Sequence, residues 1–345
     1  MSKASIFSER MKKPNSIYLQ KSIINLINPK ILKDDLNDFL AITYPGRSYR
    51  NQGHQNISAY FKQVRIQTGI EFSPQAFSPN ISWAKENLQR EFNRKIKTNY
   101  SPQSSTYIKW DGFIKNLFLE YDMIGMRSFQ NYVWKKTGAD QSRTLVISAN
   151  IDSIGQDPKT KAILHQGDFF GASDNASSVV SLLNLATVLN KMDLPFNVMV
   201  VFFDLQEFGN LGAHAFVREY LSKIKDTEIF HINSLMISKL NSSKKPRDFF
   251  LYGPKNKLSE NLLSQASKLV PEAKLKRIAS AYVSSDSGPF IDEKIASLTL
   301  IGLDEKEQQS ITHKVSDTVE MIDFYHFGLG AKLLYSLAIS ALYPL

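Results

Sequence analysis

The stretch Phe196–Leu205 constrains this chain more than any other. It is apolar except for Asn197 and Asp204, too short to cross a membrane, and runs straight into the polar pair Gln206-Glu207. Such a run reads as a strand buried on both faces of a parallel sheet. A strand of that kind needs helices on either side, and the neighbouring sequence supplies them. Leu145–Ala149 reads as a second buried strand. Ser177–Met192 has apolar residues at helical spacing, with Asp174 and Asn175 ahead as capping candidates. Leu211–Ile224 reads as a helix, Ser234–Leu240 as a strand, Leu258–Leu269 as a helix and Ala296–Leu303 as a strand, and Asp317 opens a final helix. The alternation predicts an α/β fold: a three-layer α/β/α sandwich around a mixed, largely parallel sheet. Such sheets carry their sites at the carboxyl ends of strands. Asn150–Asp152 and Gln206–Glu207 fall at such ends.

Organisation follows from texture. Residues 1–15 read as a basic tail, and 16–345 as a single domain with a helical part at 16–104 and a sheet-forming part at 105–345. The turn-rich stretches Tyr44–Asn56 and Phe72–Asn80 break the helical part. A chain of 345 residues could hold two domains, but open α/β enzymes often fill this length as one. No window holds eighteen uninterrupted apolar residues. The nearest, Phe327–Leu345, carries Lys332 and reads as a closing helix, so no membrane span is expected. Met1–Asn15 lacks the apolar core of a secretory signal, which points to the cytoplasm, or to the periplasm or exterior if a leader has been removed. With no cysteine, disulfides and thiolate metal sites are excluded. The net charge of +9 sits wholly in the first hundred residues, which hold 16 Lys+Arg against 7 Asp+Glu. No nucleic-acid motif accompanies it, so solvated helix faces such as Lys85–Lys97 account for it better than a nucleic-acid partner. Nothing fixes an oligomeric state.

Five islands bring the chemistry into view: SANIDS at 148–153, GASDNASS at 171–178, FFDLQEFG at 202–209, YVSSDSGPF at 282–290 and ITHKVSDT at 311–318. In this order and spacing, with Pro45-Gly46-Arg47 ahead of them, they resemble the zinc aminopeptidase family. That family includes bacterial leucine aminopeptidase, glutaminyl cyclase and the transferrin receptor ectodomain. The resemblance covers roughly residues 40–345 and implies a zinc-exopeptidase-like sandwich. It makes Asp174, Glu207 and His313 metal ligands. Gln206 stands where the family places its glutamate general base, Tyr282 where a tyrosine helps stabilise the tetrahedral intermediate, and Asp286 where glutaminyl cyclases keep an aspartate near the substrate. Two ligand positions of the first metal are degenerate: Asn150 replaces a histidine, and Ser238 aligns with an aspartate.

Charge decides what these departures mean. Two zinc ions need several anionic ligands close together, and the first position keeps only Asp174. The second keeps two carboxylates and an imidazole, so the expectation is one zinc at most. A neutral Gln206 cannot accept a proton, and general-base assistance is worth about 10²–10⁴ in rate. The leading expectation is therefore a family member with impaired or lost peptidase activity and a binding or scaffolding role, with a peptide or protein N-terminus as ligand. The alternative is an active one-zinc aminopeptidase or glutaminyl cyclase using Asp152, Asp286 or His165 as substitute base. His165 reads as solvated; His54, His214, His231 and His326 read as structural.

Overall fold

The structure, a computed structural model, describes residues 9–160, 162–224, 227–278 and 285–345. Its strands, in chain order, are β1 (Ser73–Phe77), β2 (Phe129–Lys136), β3 (Asp140–Asn150), β4 (Gly155–Gln156), β5 (Ile163–Leu164), β6 (Phe196–Phe203), β7 (Glu228–Leu235), β8 (Asp248–Tyr252), β9 (Lys274–Ile278) and β10 (Ala296–Ile301). β4 and β5 pair with each other; the other eight form one sheet in the order β1-β2-β6-β3-β7-β10-β8-β9. The central four, β6, β3, β7 and β10, run parallel. β1, β2 and β8 bring the antiparallel pairings. This is the mixed, helix-covered α/β sheet that the sequence predicts.

The apolar run at 196–205 is why β6 sits near the middle. Val198, Val200 and Phe202 face one helical layer, where Ser177–Leu189, Pro29–Ile42 and Phe324–Leu342 contribute. Met199, Val201 and Phe203 face the other, among Ala213, Phe216 and Phe290. Burying each such side chain fully is worth about 1.5–3 kcal/mol, and a strand alternates its side chains between faces. Only an interior strand satisfies both halves of this pattern.

Four expectations need correction. The strand expected at Ser234–Leu240 is β7, Glu228–Leu235. Its interior polar residues hid it, because His231 is buried between the hydroxyls of Ser148 and Ser297 at 2.7 Å each. After Leu235 the chain leaves the strand as Met236 adopts a left-handed φ of 47°. The last helix starts at Phe324, capped by Asp323, whose side chain accepts from the His326 N–H at 3.2 Å; Asp317 has another task. The Phe72–Asn80 stretch contains the edge strand β1, where Pro74 is tolerated because an edge leaves backbone groups unpaired. The expected tail is anchored at its end: the Lys12 carbonyl accepts from the Asp193 N–H, and Gln20 Nε2 bridges the carbonyls of Pro14 and Tyr343.

Register fixes the site. β3 pairs with β6 so that Asn150 lies opposite Phe203, and with β7 so that Ser148 lies opposite Asn233. The carboxyl ends of the three strands are therefore flush. Helices Ile81–Phe92 and Ser105–Ile124 cross this edge, packing Ala84, Leu117, Tyr121 and Ile124 against Leu205, Phe208 and Leu211. Each is started by a polar cap: Asn80 accepts from the Trp83 N–H and Ser104 from the Tyr107 N–H. No helix among the described residues is long and apolar enough to cross a membrane.

Candidate metal centre

Three chain segments meet at the flush edge and bring Asp174, Glu207 and His313 together. One ligand atom from each lies within 4.8 Å of the other two. His313 Nε2 stands 2.9 Å from Glu207 Oε2 and 3.7 Å from Asp174 Oδ2. Ligands about 2.0–2.2 Å from a tetrahedral ion sit roughly 3.4 Å apart, and these distances bracket that value. Leu205 and His313 hold left-handed backbones, with φ of 56° and 60°. Such residues cost of order 1–3 kcal/mol each and cluster at functional sites. Here one precedes Gln206-Glu207 and the other is itself a member of the triad.

Buried polar residues hold the three in place. Arg47, fully buried, donates to the carbonyls of Ile151, Phe170 and Gly171, tying the end of β3 to the loop before Asp174. Asp317 accepts from the backbone N–H groups of Ser173 at 2.8 Å and Asp174 at 2.9 Å. Asp152 accepts from those of Gln206 and Glu207, both at 3.1 Å. Asn175 donates to Asn150 Oδ1 and the Ser234 carbonyl and accepts from the Met236 N–H, joining β3 to β7. Sequence reasoning offered Asp174 and Asn175 as caps of the following helix. Its N-cap is Ala176, with no side-chain cap bond, and both residues serve the site. Asp317 was missed for the same reason, since an acid in a Ser-Asp-Thr turn looks like a helix start.

The remaining predicted residues divide. Gln206 lines the same cavity as Glu207 and His313. Asp286 is buried, and neither carboxylate oxygen has a hydrogen-bond partner among the described residues. Tyr282 lies outside the described residues. Asn150 is buried, its Oδ1 2.7 Å from Asn175 Nδ2 and its Nδ2 3.3 Å from the Asp152 carbonyl. Ser238 is buried three residues beyond β7, its hydroxyl without a partner among the described residues. Continuing the register, the residue level with Asn150 is Leu235. His165 is not solvated: its Nδ1 lies 2.8 Å from Ser48 Oγ and its Nε2 3.1 Å from Glu120. His54 pairs with Asp204, His326 with Asp323, and His214 stacks on Trp83. Burial holds His231 down at about 3, and burial followed by Arg218 holds His214 at about 4, so both are neutral structural groups.

Electrostatics decide whether the triad suits a cation. Burial, then the charge of Glu207, pushes Asp174 up to about 8, against the pull of His313 and Arg47. Burial and then Glu207 also raise Asp152 and Asp286 well above the carboxylate range. Burial raises Asp317 too, opposed by its two backbone donors. Arg47, desolvated to about 10, is the buried cation set against them. Glu207 Oε1 is buried without a partner among the described residues. Clustered buried carboxylates with an unsatisfied oxygen beside an imidazole fit one divalent ion.

The helix-covered, mostly parallel eight-stranded sheet is that of zinc exopeptidases. The chain belongs to Peptidase family M28, whose family model matches residues 131–335. Among solved structures, it is similar to the LapA aminopeptidase of Legionella pneumophila (TM-score 0.66, 14% identity, 98% of this chain and 78% of that one). It is also similar to an aminopeptidase from Aneurinibacillus sp. strain AM-1 (TM-score 0.64, 13% identity, 93% and 96%). BSAP, a zinc aminopeptidase from Bacillus subtilis, is 22% identical over 63% of this chain and 51% of its own, with a TM-score of 0.53. A comparison with curated protein sequences gives no match.

Proposed function

We propose that this family member holds one zinc ion between Asp174, Glu207 and His313, binds peptide N-termini there, and hydrolyses them weakly or not at all. The observation that carries the reading is the convergence of those three residues beside an amide, Gln206, at the base position. Three protein ligands leave a fourth position for water or ligand. A bound zinc would polarise a carbonyl and lower the pKa of its water. The chain must still move the proton, and Gln206 offers only an amide that can orient a water or donate to a carbonyl. Lost base assistance of about 10²–10⁴ corresponds to roughly 3–5 kcal/mol. Asp152 is poorly suited as a replacement, because both its oxygens are engaged by the backbone of Gln206 and Glu207. The first metal position lacks a ligand set, with Asn150 bonded to Asn175 and either Ser238 or Leu235 where the family has an aspartate.

A second reading, an active one-zinc aminopeptidase or glutaminyl cyclase, draws on Asp286. That carboxyl is buried with both oxygens unpartnered among the described residues, and it feels the charge of Glu207. Gln206→Glu separates the two readings. It keeps shape and returns a carboxylate beside the triad. In the leading reading, hydrolysis of an amino-acid amide rises from near background, by no more than the about 10²–10⁴ of base assistance. If the unmodified protein already turns the amide over and the substitution leaves the rate unchanged, another base is in use and the second reading replaces the first.

A further inference from the structure

A second basic region lies far from the first hundred residues. Residues 239–278 hold ten Lys+Arg against three Asp+Glu, an excess that acids elsewhere in 101–345 cancel in the overall count. Three of the ten are engaged: Lys239 with Glu307 at 3.4 Å, Lys276 with Asp248, and Arg277 with Glu260. Four others gather in one place. Lys244, Lys245 and Arg247, from the loop before β8, and Lys274, at the start of β9, line a hollow of about 440 Å³ together with Asp248 and Lys276. All four are exposed, and none has an acidic partner among the described residues. Cations held this close repel one another, and anionic groups in the hollow would relieve that repulsion.

The hollow lies at the edge of the sheet. β9 is the outermost strand and pairs on one side only, with β8. Register sets Lys274 beside Asp248 and Lys276 beside Phe250, so both lysines stand on the face of the hollow. Leu275 packs against the core on the other face, where Arg277 reaches Glu260 of the helix Lys257–Leu269. The Lys274 N–H donates inward to the Arg247 carbonyl. Leu275 and Arg277 therefore turn their backbone N–H and carbonyl groups outward, away from β8. Lysines on a strand often serve only to keep such an edge from pairing. That role explains Lys274 and Lys276, but not the three cations of the loop that converge on the same hollow.

We propose that the outer edge of β9 receives an extended acidic segment of another protein, which adds a strand to the sheet and places acids at alternate positions over the hollow. The outward backbone groups of β9 pair with another polypeptide backbone. A nucleic acid would meet the cations and leave those groups unpaired. A second copy of β9 is disfavoured, because its lysines would stand against Lys274 and Lys276, and like charges directly opposite destabilise a strand pair. The proposal is independent of the triad and of any metal.

Fluorescence anisotropy on the full chain tests it. The probe is a fluorescein-labelled peptide amide of sequence Glu-Val-Glu-Val-Glu-Val-Glu. Two further versions carry N-methyl groups on the valines or on the glutamates, so that a strand added in either direction loses its donors to β9 in one of them. The parent peptide should bind, and more weakly by several-fold as salt rises from about 50 to about 500 mM. One of the N-methylated versions should bind at least about tenfold more weakly, the loss expected when two or more main-chain hydrogen bonds go. Lys244→Glu combined with Lys245→Glu, at exposed positions where folding is not at risk, should weaken the parent peptide by at least about tenfold. A single-stranded oligodeoxynucleotide of the same charge should bind more weakly than the parent peptide. No binding of the parent peptide overturns the proposal and leaves the lysines as guards of the edge. Equal binding of all three peptides, or an oligonucleotide that binds more tightly than any of them, overturns it in favour of a surface that reads charge alone. Binding that survives the double substitution overturns it as well.

Discussion

Asn150 ends β3 and Glu207 follows the end of the adjacent strand β6, yet the two sides of this edge are built to opposite ends. On the Asn150 side the asparagine's own polar demands are met within the protein. Its amide bonds to Asn175 and to the Asp152 carbonyl, and Leu235 beside it packs with Met236, Ile301 and Leu303. On the Glu207 side a carboxylate oxygen is unpartnered among the described residues, and Asp174 is driven up to about 8. An amide in place of a charged or metal-bound group can keep volume and hydrogen bonds while removing the demand for a counter-ion. The comparison teaches that one side of this edge can close on itself through hydrogen bonds while the other keeps clustered carboxylates that only a proton or a cation can neutralise.

The sharpest way to break this comparison is at the residue both sides share. Arg47 spans the end of β3 and the loop carrying Asp174, and it is the buried positive charge nearest their acids. Arg47→Met should cost about 3–5 kcal/mol, because it leaves three carbonyls at the end of β3 and in the following loop without their donor. It would be read as a lower urea midpoint at unchanged slope. A loss under about 1 kcal/mol would mean that the carbonyls of Ile151, Phe170 and Gly171 find other partners and that Arg47 does not hold the two segments together. His313→Ala comes next. It removes one of the three proposed ligands and should lower zinc affinity by more than about 100-fold, since even groups supporting a ligand are worth about 10–100-fold. Zinc content of the purified variant should fall from one per chain at most to none.

Much of this architecture was legible in the sequence, and the rest was hidden for physical reasons. β6 and the helix Ser177–Leu189 announce themselves because burial on all sides demands unbroken apolar residues. β7 does not, because His231 and Asn233 satisfy each other's neighbours through Ser148 and are polar inside a core. The convergence of Asp174, Glu207 and His313 follows the islands, since each residue sits at a strand or loop end. Its support was not legible in the sequence. Asp317 and Asn175 act through backbone groups far away in sequence, and only the fold says which N–H or carbonyl they meet. His165, taken as solvated, is held by Ser48 and by Glu120 from a helix some forty-five residues earlier.

A gentler test sharpens the comparison through pH. In the folded metal-free protein Asp174 keeps its proton to about pH 8, whereas in the unfolded chain it ionises in the ordinary aspartate range. The unfolded state therefore loses a proton first, so Asp174 makes the metal-free fold progressively less stable as pH rises from about 4 to about 8, with no further loss above. Zinc needs the carboxylate ionised and must displace that proton. Its affinity should fall about tenfold for each pH unit below about 8, with one proton released on binding. Competition titrations at pH 6, 7 and 8 give the slope, and calorimetry in buffers of different ionisation heat counts the proton. A flat profile would show that Asp174 is not in the coordination sphere.

The smallest effect is expected where the sequence departs most from its family. Asn150→His returns the imidazole that the resemblance places at the first metal position, yet zinc should remain at one per chain. The restored ring would still lack a second free acid, because Leu235 and Ser238 offer no carboxylate and both oxygens of Asp152 accept from the backbone of Gln206 and Glu207, and a single shared Asp174 does not hold a second dication. The substitution also breaks the bond between Asn150 and Asn175, which should lower stability by about 1 kcal/mol. Elemental analysis of the variant after zinc loading and desalting decides the matter. A second tightly held ion would mean that the Asn150 side is an open metal position lacking one ligand, and the contrast between the two sides would collapse. One ion, with a slightly lower unfolding midpoint, is what a position closed by its own hydrogen bonds should give.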